Sequence, residues 1–142
     1  MSDTITGGCQ CGAVRYEFKG EPFVGAHCHC NNCRKFTGAG HASNLVVPAD
    51  GFTVTGEMST YEYKAESGND MTRYFCPKCA SPIYGTSSSN AKALVLRAGG
   101  FDDPGVFQAK VSLFTPESAP WDHIDENTKS FDGMPPPPPP KA

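Results

Sequence analysis

Seven cysteines in three tight groups constrain this chain of 142 residues more than any other feature. Cys9 and Cys11 form a C-x-C in GGCQCG, Cys28, Cys30 and Cys33 form a C-x-C-x-x-C in CHCNNC, and Cys76 and Cys79 form a C-x-x-C in FCPKCA. None lies outside a group. Two cysteines so spaced in a turn can aim both sulfurs at one ion, and Gly12, Asn31, Asn32 and Pro77 are residues that make such turns. Zinc is the metal that the donor set favours, being tetrahedral, redox-inert and well matched to thiolate. A ferredoxin-type C-x-x-C-x-x-C run is absent, which argues against an iron–sulfur cluster. The βαβ setting of a thioredoxin-like dithiol is absent as well, which argues against redox use of Cys76 and Cys79.

Counting then divides the seven. A closed structural site takes four protein ligands, and the two pairs, Cys9, Cys11, Cys76 and Cys79, supply them. That would staple an early strand to a late one in a small core. The triplet is one ligand short, and an open fourth position is the mark of a catalytic zinc. Three thiolates leave such a site with a net charge of about −1 rather than about −2, so its ion is the stronger Lewis acid and would deprotonate an incoming thiol. Spacing alone leaves two alternatives open. His27, His29 or His41 could close the triplet as an inert Cys3His site, and each pair could join the triplet rather than the other pair.

The remaining sequence predicts a mainly β chain of around eight to ten short strands. Val14, Tyr16 and Phe18 alternate with Arg15, Glu17 and Lys19, the period of a half-buried strand over 13–19. Further strands are expected near 41–47, stopped by Pro48, and at 52–55, 60–64, 72–75, 83–85, 93–97 and 109–114, with Gly56 near the turn between the second and third of these seven segments. Short helices are expected only at 31–36 and 104–107. Fifteen glycines and thirteen prolines fit a turn-rich chain. The domain is expected to span 1–134, with SAPWDHID packed on its body and Trp121 anchoring it, followed by a polyproline tail over 135–142.

A net charge of −3 and a sequence pI near 5.7 argue against nucleic acid or an anionic membrane as partner. No apolar run is long enough to span a bilayer. The MSDTITGGCQ start has neither the basic nor the apolar part of a signal peptide, so a cytoplasmic location, where thiols stay reduced, is expected.

The ordered motifs GGCQCGAVRY, CHCNNCRKFTGA and RYFCPKCASPIYG resemble the glutathione-dependent formaldehyde-activating enzyme family, also described as centromere protein V-like. The resemblance spans roughly 7–121. It implies an Mss4-like zinc-binding fold of short antiparallel strands, Cys9, Cys11, Cys76 and Cys79 as structural zinc ligands, and Cys28, Cys30 and Cys33 as catalytic zinc ligands. It implies a carbon–sulfur lyase-type enzyme with glutathione as co-substrate and small-molecule thiol and carbonyl substrates, joining formaldehyde to glutathione or running a related reaction. One departure is Ala80, where the family has glycine after the last cysteine pair; alanine there would take a left-handed backbone at a modest penalty.

Around the triplet, Arg34 is a candidate for a glutathione carboxylate. His29 and His41 could move a proton or serve as core or solvent-facing histidines, and Phe36, Thr37 and Gly38 would shape a cleft wall. The competing readings are a zinc-stabilised binding module without catalysis and a glutathione-independent lyase or isomerase.

Overall fold

The computed structural model describes residues 4–134; the expected tail at 135–142 lies outside them. Eleven strands and one α-helix are found there: β1 (Thr4–Gly8), β2 (Arg15–Lys19), β3 (Val24–Cys28), α1 (Asn31–Thr37), β4 (Ala42–Pro48), β5 (Phe52–Thr55), β6 (Ser59–Lys64), β7 (Asp70–Phe75), β8 (Pro82–Ser87), β9 (Ala93–Arg97), β10 (Val111–Leu113) and β11 (Lys129–Ser130). They form a three-stranded sheet in the order β1-β2-β5 and an eight-stranded sheet in the order β11-β10-β3-β4-β9-β8-β7-β6. The chain is mainly β, with the Mss4-like fold that the sequence implies. Pairing is antiparallel except where β10 runs parallel to both β3 and β11.

The core forms where the two sheets face each other. Val14, Tyr16 and Phe18, the expected apolar side of β2, are each at most 4% exposed. They pack with Ile5 from β1 and with Leu45, Val47, Ile83, Leu94 and Leu96 from the large sheet. Each fully buried aliphatic or aromatic side chain contributes about 1.5–3 kcal/mol of transfer free energy. Phe52 of β5 joins the two layers, its ring 5.7 Å from Tyr16 on its own sheet and 5.1 Å from Tyr84 on the other.

The strands at 52–55 and 60–64 are present as expected, and the turn at Gly56 between them carries the chain from one sheet to the other. Several expectations need correction. The strand expected at 109–114 is confined to Val111–Leu113. The segment at 104–107 is a 3-10 turn, Pro104–Val106, held by Asp103 accepting from the Gly105 N–H at 2.9 Å. Trp121 is no core anchor: it is 69% exposed, and its segment docks instead through buried Ala119 and the half-buried carboxylate of Asp122.

Candidate functional site

Each cysteine group sits where backbone geometry curls the chain. Cys9 and Cys11 lie in the turn between β1 and β2, closed by hydrogen bonds from Cys9 N to Val14 O (3.1 Å) and from Gly12 N to Cys9 O (3.2 Å). Cys76 and Cys79 lie in the turn between β7 and β8, closed by Ala80 N to Cys76 O at 2.8 Å. Ala80 has a φ of 65°, the left-handed conformation expected for it. The two turns meet: Gln10 N donates to Ser81 Oγ at 3.1 Å, and the four sulfurs lie within 4.8 Å of one another.

This group suits a tetrahedral thiophilic ion. The Cys9–Cys11 and Cys11–Cys76 sulfur separations are 3.6 and 3.8 Å, against the roughly 3.8 Å edge of a tetrahedron built on bonds of about 2.3 Å. Backbone N–H groups of Val14 and Lys78 donate to the Cys9 and Cys76 sulfurs, from 3.2 and 3.4 Å. The Ser81 hydroxyl and backbone N–H, with further help from Cys11, pull Cys79 down to about 5. Although the Ala13 backbone N–H lowers Cys11, its neighbour Cys9 and burial together push it up to about 11. Without a metal the group thus cannot hold four negative charges; a divalent cation supplies the missing attraction.

The triplet is built by the junction of β3 and α1. Cys28 ends β3, the chain stays extended through Cys30, and alternate side chains of an extended chain point to opposite sides. Cys28 and Cys30 therefore share a side, with sulfurs 3.4 Å apart, and His29 points away. Cys30 is the N-cap of α1, accepting from Cys33 N at 3.3 Å, and the first helical turn brings Cys33 back to the other two. Gly38, with a φ of 72°, ends the helix and returns its N–H to Arg34 O at 2.9 Å. Hydrogen bonds from Cys28 and Cys33 pull Cys30 down to about 2, while the shared proton and burial drive Cys28 up. Cys30 is thus the first of the three to lose its proton. Among the described residues the three sulfurs group alone, whereas His29 groups with His41 and Asp122.

A cleft of about 600 Å³ opens between the sheets, lined by Gly8–Gln10 on one side and by Phe36 and Thr37 of α1 on another. Its charged and polar wall includes Arg15, Asp102, His41, Asn44 and Arg97. None of the triplet cysteines lines it. Although the hydrogen bond with Cys28 lowers Cys33, Cys30 and burial push it up to about 11, and the charge of Arg97, which borders the cleft, offsets a little of that rise. Arg97 donates from Nη1 to Asn44 Oδ1 at 2.8 Å and stacks on Phe36, 4.7 Å from the ring centroid. Arg73 covers the same ring at 4.4 Å. Arg34 lies elsewhere: it does not line the cleft, and it donates to Asn31 Oδ1 at 3.4 Å within its own helix. Sequence reading missed Arg97, Asn44 and Asp122. The first two sit on neighbouring strands in register, Asn44 opposite Arg97, which no local pattern announces.

A small two-layer β domain carrying two compact thiol groups, each able to hold a metal ion, is the class of protein that this fold and these residues define. Residues 4–117 match the glutathione-dependent formaldehyde-activating enzyme family, and the chain belongs to that family. No curated protein matches it. Its fold resembles that of a Rhodobacter sphaeroides protein solved by crystallography, with a TM-score of 0.55 over 68% of this chain and 87% of that one at 19% identity. No helix among the described residues is long and apolar enough to cross a membrane.

Proposed function

We propose that the protein is a zinc-dependent carbon–sulfur lyase-type enzyme that joins glutathione to formaldehyde, or works on a closely related thiol–carbonyl pair. The observation that carries this reading is the triplet: three thiols with sulfurs in mutual reach, no imidazole or carboxylate among them, and family membership around them. Cys9, Cys11, Cys76 and Cys79 would hold a structural zinc, and Cys28, Cys30 and Cys33 a second. When bound there, zinc would supply the Lewis acidity that keeps an incoming thiol as thiolate at neutral pH.

The chain's own residues would do the rest. Cys30, part-exposed and with its pKa lowered by the hydrogen bonds from Cys28 and Cys33, offers the negative ligand around which the site would assemble. Arg97, fixed by Asn44 and Phe36, is placed to take a glutathione carboxylate from the cleft, a role that suits it better than Arg34. In the reaction a carbon–sulfur bond forms as the thiolate attacks the carbonyl carbon, and the carbonyl oxygen takes up the proton that the thiol released. Holding thiol and carbonyl side by side at the triplet would account for much of the rate gain. Seven reduced cysteines fit a cytoplasmic setting.

The test is zinc content together with production of S-hydroxymethylglutathione from formaldehyde and glutathione. Two zinc ions per chain and turnover that Cys30→Ser abolishes are expected. A fully loaded protein that neither binds glutathione nor consumes formaldehyde would refute the proposal.

A further inference from the structure

The side chain that the triplet turns away has surroundings of its own. His29 is 1% exposed, and neither of its ring nitrogens has a hydrogen-bond partner in the protein. Buried polar atoms are nearly always satisfied, and an imidazole with both nitrogens idle points to a missing partner. Three groups surround that gap. Asp122 Oδ2 is 3.4 Å from His29 Nδ1, outside hydrogen-bond alignment, and 2.6 Å from His41 Nδ1. The His41 ring stands 4.9 Å from the His29 ring, centroid to centroid. One donor atom from each of His29, His41 and Asp122 falls within 4.8 Å of the other two.

We propose that His29, His41 and Asp122 form a third metal site, distinct from both thiol groups, for a divalent transition-metal ion such as zinc, iron(II) or cobalt(II). Two imidazole nitrogens and one carboxylate oxygen form the borderline nitrogen–oxygen donor set that such ions prefer over calcium or magnesium. A cation accepts the lone pair on one ring nitrogen of the neutral His29 imidazole, and the other nitrogen keeps its proton. Three protein ligands leave positions open. Of the three, His41 also lines the cleft. Supporting contacts are in place around it. The His27 ring lies 4.5 Å from that of His41, its Nδ1 3.2 Å from Ser43 Oγ and its Nε2 3.7 Å from Asp125 Oδ2. The site owes nothing to the reading of the triplet as catalytic. It follows only from the extended chain through Cys28–Cys30, which sends sulfurs to one side and an imidazole to the other.

Cobalt(II) titration of the reduced, metal-stripped full chain tests this. Sulfur-bound cobalt gives intense sulfur-to-metal charge-transfer absorption, and nitrogen–oxygen-bound cobalt does not. The wild-type protein should take up one equivalent of cobalt that adds no charge-transfer intensity. His41→Ala and Asp122→Asn should each lose that equivalent while keeping the charge-transfer bands, which also report that the variants are folded. Uptake that tracks charge-transfer intensity to its end in the wild type would overturn the proposal without any variant. So would a sulfur-free equivalent that survives both substitutions. A triplet that binds no metal would shrink the charge-transfer bands in all three proteins alike and leave the difference between them intact.

Discussion

Arg97 donates to Asn44 across the β4–β9 pair at 2.8 Å, with its guanidinium plane resting on Phe36. That arrangement leaves one arm fixed and the head aimed into the cleft. A lysine has no planar fork and cannot hold Asn44 and a carboxylate in the same geometry. Arg97→Lys should therefore raise KM for glutathione roughly tenfold while changing kcat much less. Steady-state kinetics with glutathione varied at saturating formaldehyde would check it, and an unchanged KM would remove Arg97 from substrate recognition.

The two thiol groups should respond differently to loss of one ligand. Cys76 is fully buried within the main core, whereas Cys30 sits part-exposed at the start of α1. Cys76→Ser should lose one metal ion and at least about 2 kcal/mol of stability. Cys30→Ser should lose one metal ion and turnover while the fold persists. Metal analysis beside urea unfolding separates the two patterns; equal destabilisation by both would show that the triplet is structural.

Ala80 occupies a left-handed conformation, at φ 65°, that carries a penalty for any side chain with a β-carbon. Ala80→Gly removes that strain but loosens the unfolded chain, so the net gain should be at most about 1 kcal/mol. Thermal unfolding of the metal-loaded proteins would show it as a small rise in Tm. A fall would mean that the turn does not feel the strain.

Asp102 is held down to about 2, against an ordinary 3.8, chiefly by its hydrogen bond from Arg15 and then by one from Thr6 Oγ1. A depressed carboxylate pKa stabilises the fold above the unfolded value and loses that effect as pH falls through the folded one. Asp102→Asn should thus be less stable than wild type at neutral pH, with the gap full above about pH 4 and closing as pH falls toward 2. Denaturation of both proteins across that range is the measurement. A gap that stays constant with pH would show that the pair acts through shape rather than charge.

Much of the site was legible because metal ligands cluster in sequence as well as in space. The three cysteine groups, the helix at Asn31 and the strand at Ala93–Arg97 all appeared where local pattern placed them. β1 and β3 did not. Each has a glycine in close backbone contact: a β-carbon at Gly7 would lie 2.4 Å from Gly100 O, and one at Gly25 would lie 2.0 Å from Gln108 O. The residues that let a neighbouring strand or loop come so near are the ones that erase apolar alternation. Trp121 misled for a different reason. A lone tryptophan suggests a core anchor, but its segment docks through the neighbouring Asp122, whose partners His29 and His41 lie just after β3 and just before β4, His41 81 residues earlier and His29 further still.

The two thiol groups also differ in when they can exist. Cys28, Cys30 and Cys33 are complete once a single short stretch has left the ribosome. The other quartet must wait until 65 more residues separate Cys11 from Cys76 and the β7–β8 turn has formed. A nascent chain would thus complete its triplet while Cys9 and Cys11, made earlier, still wait for Cys76 and Cys79. Growth in metal-poor conditions would leave the half-made protein open to wrong pairing between early and late sulfurs.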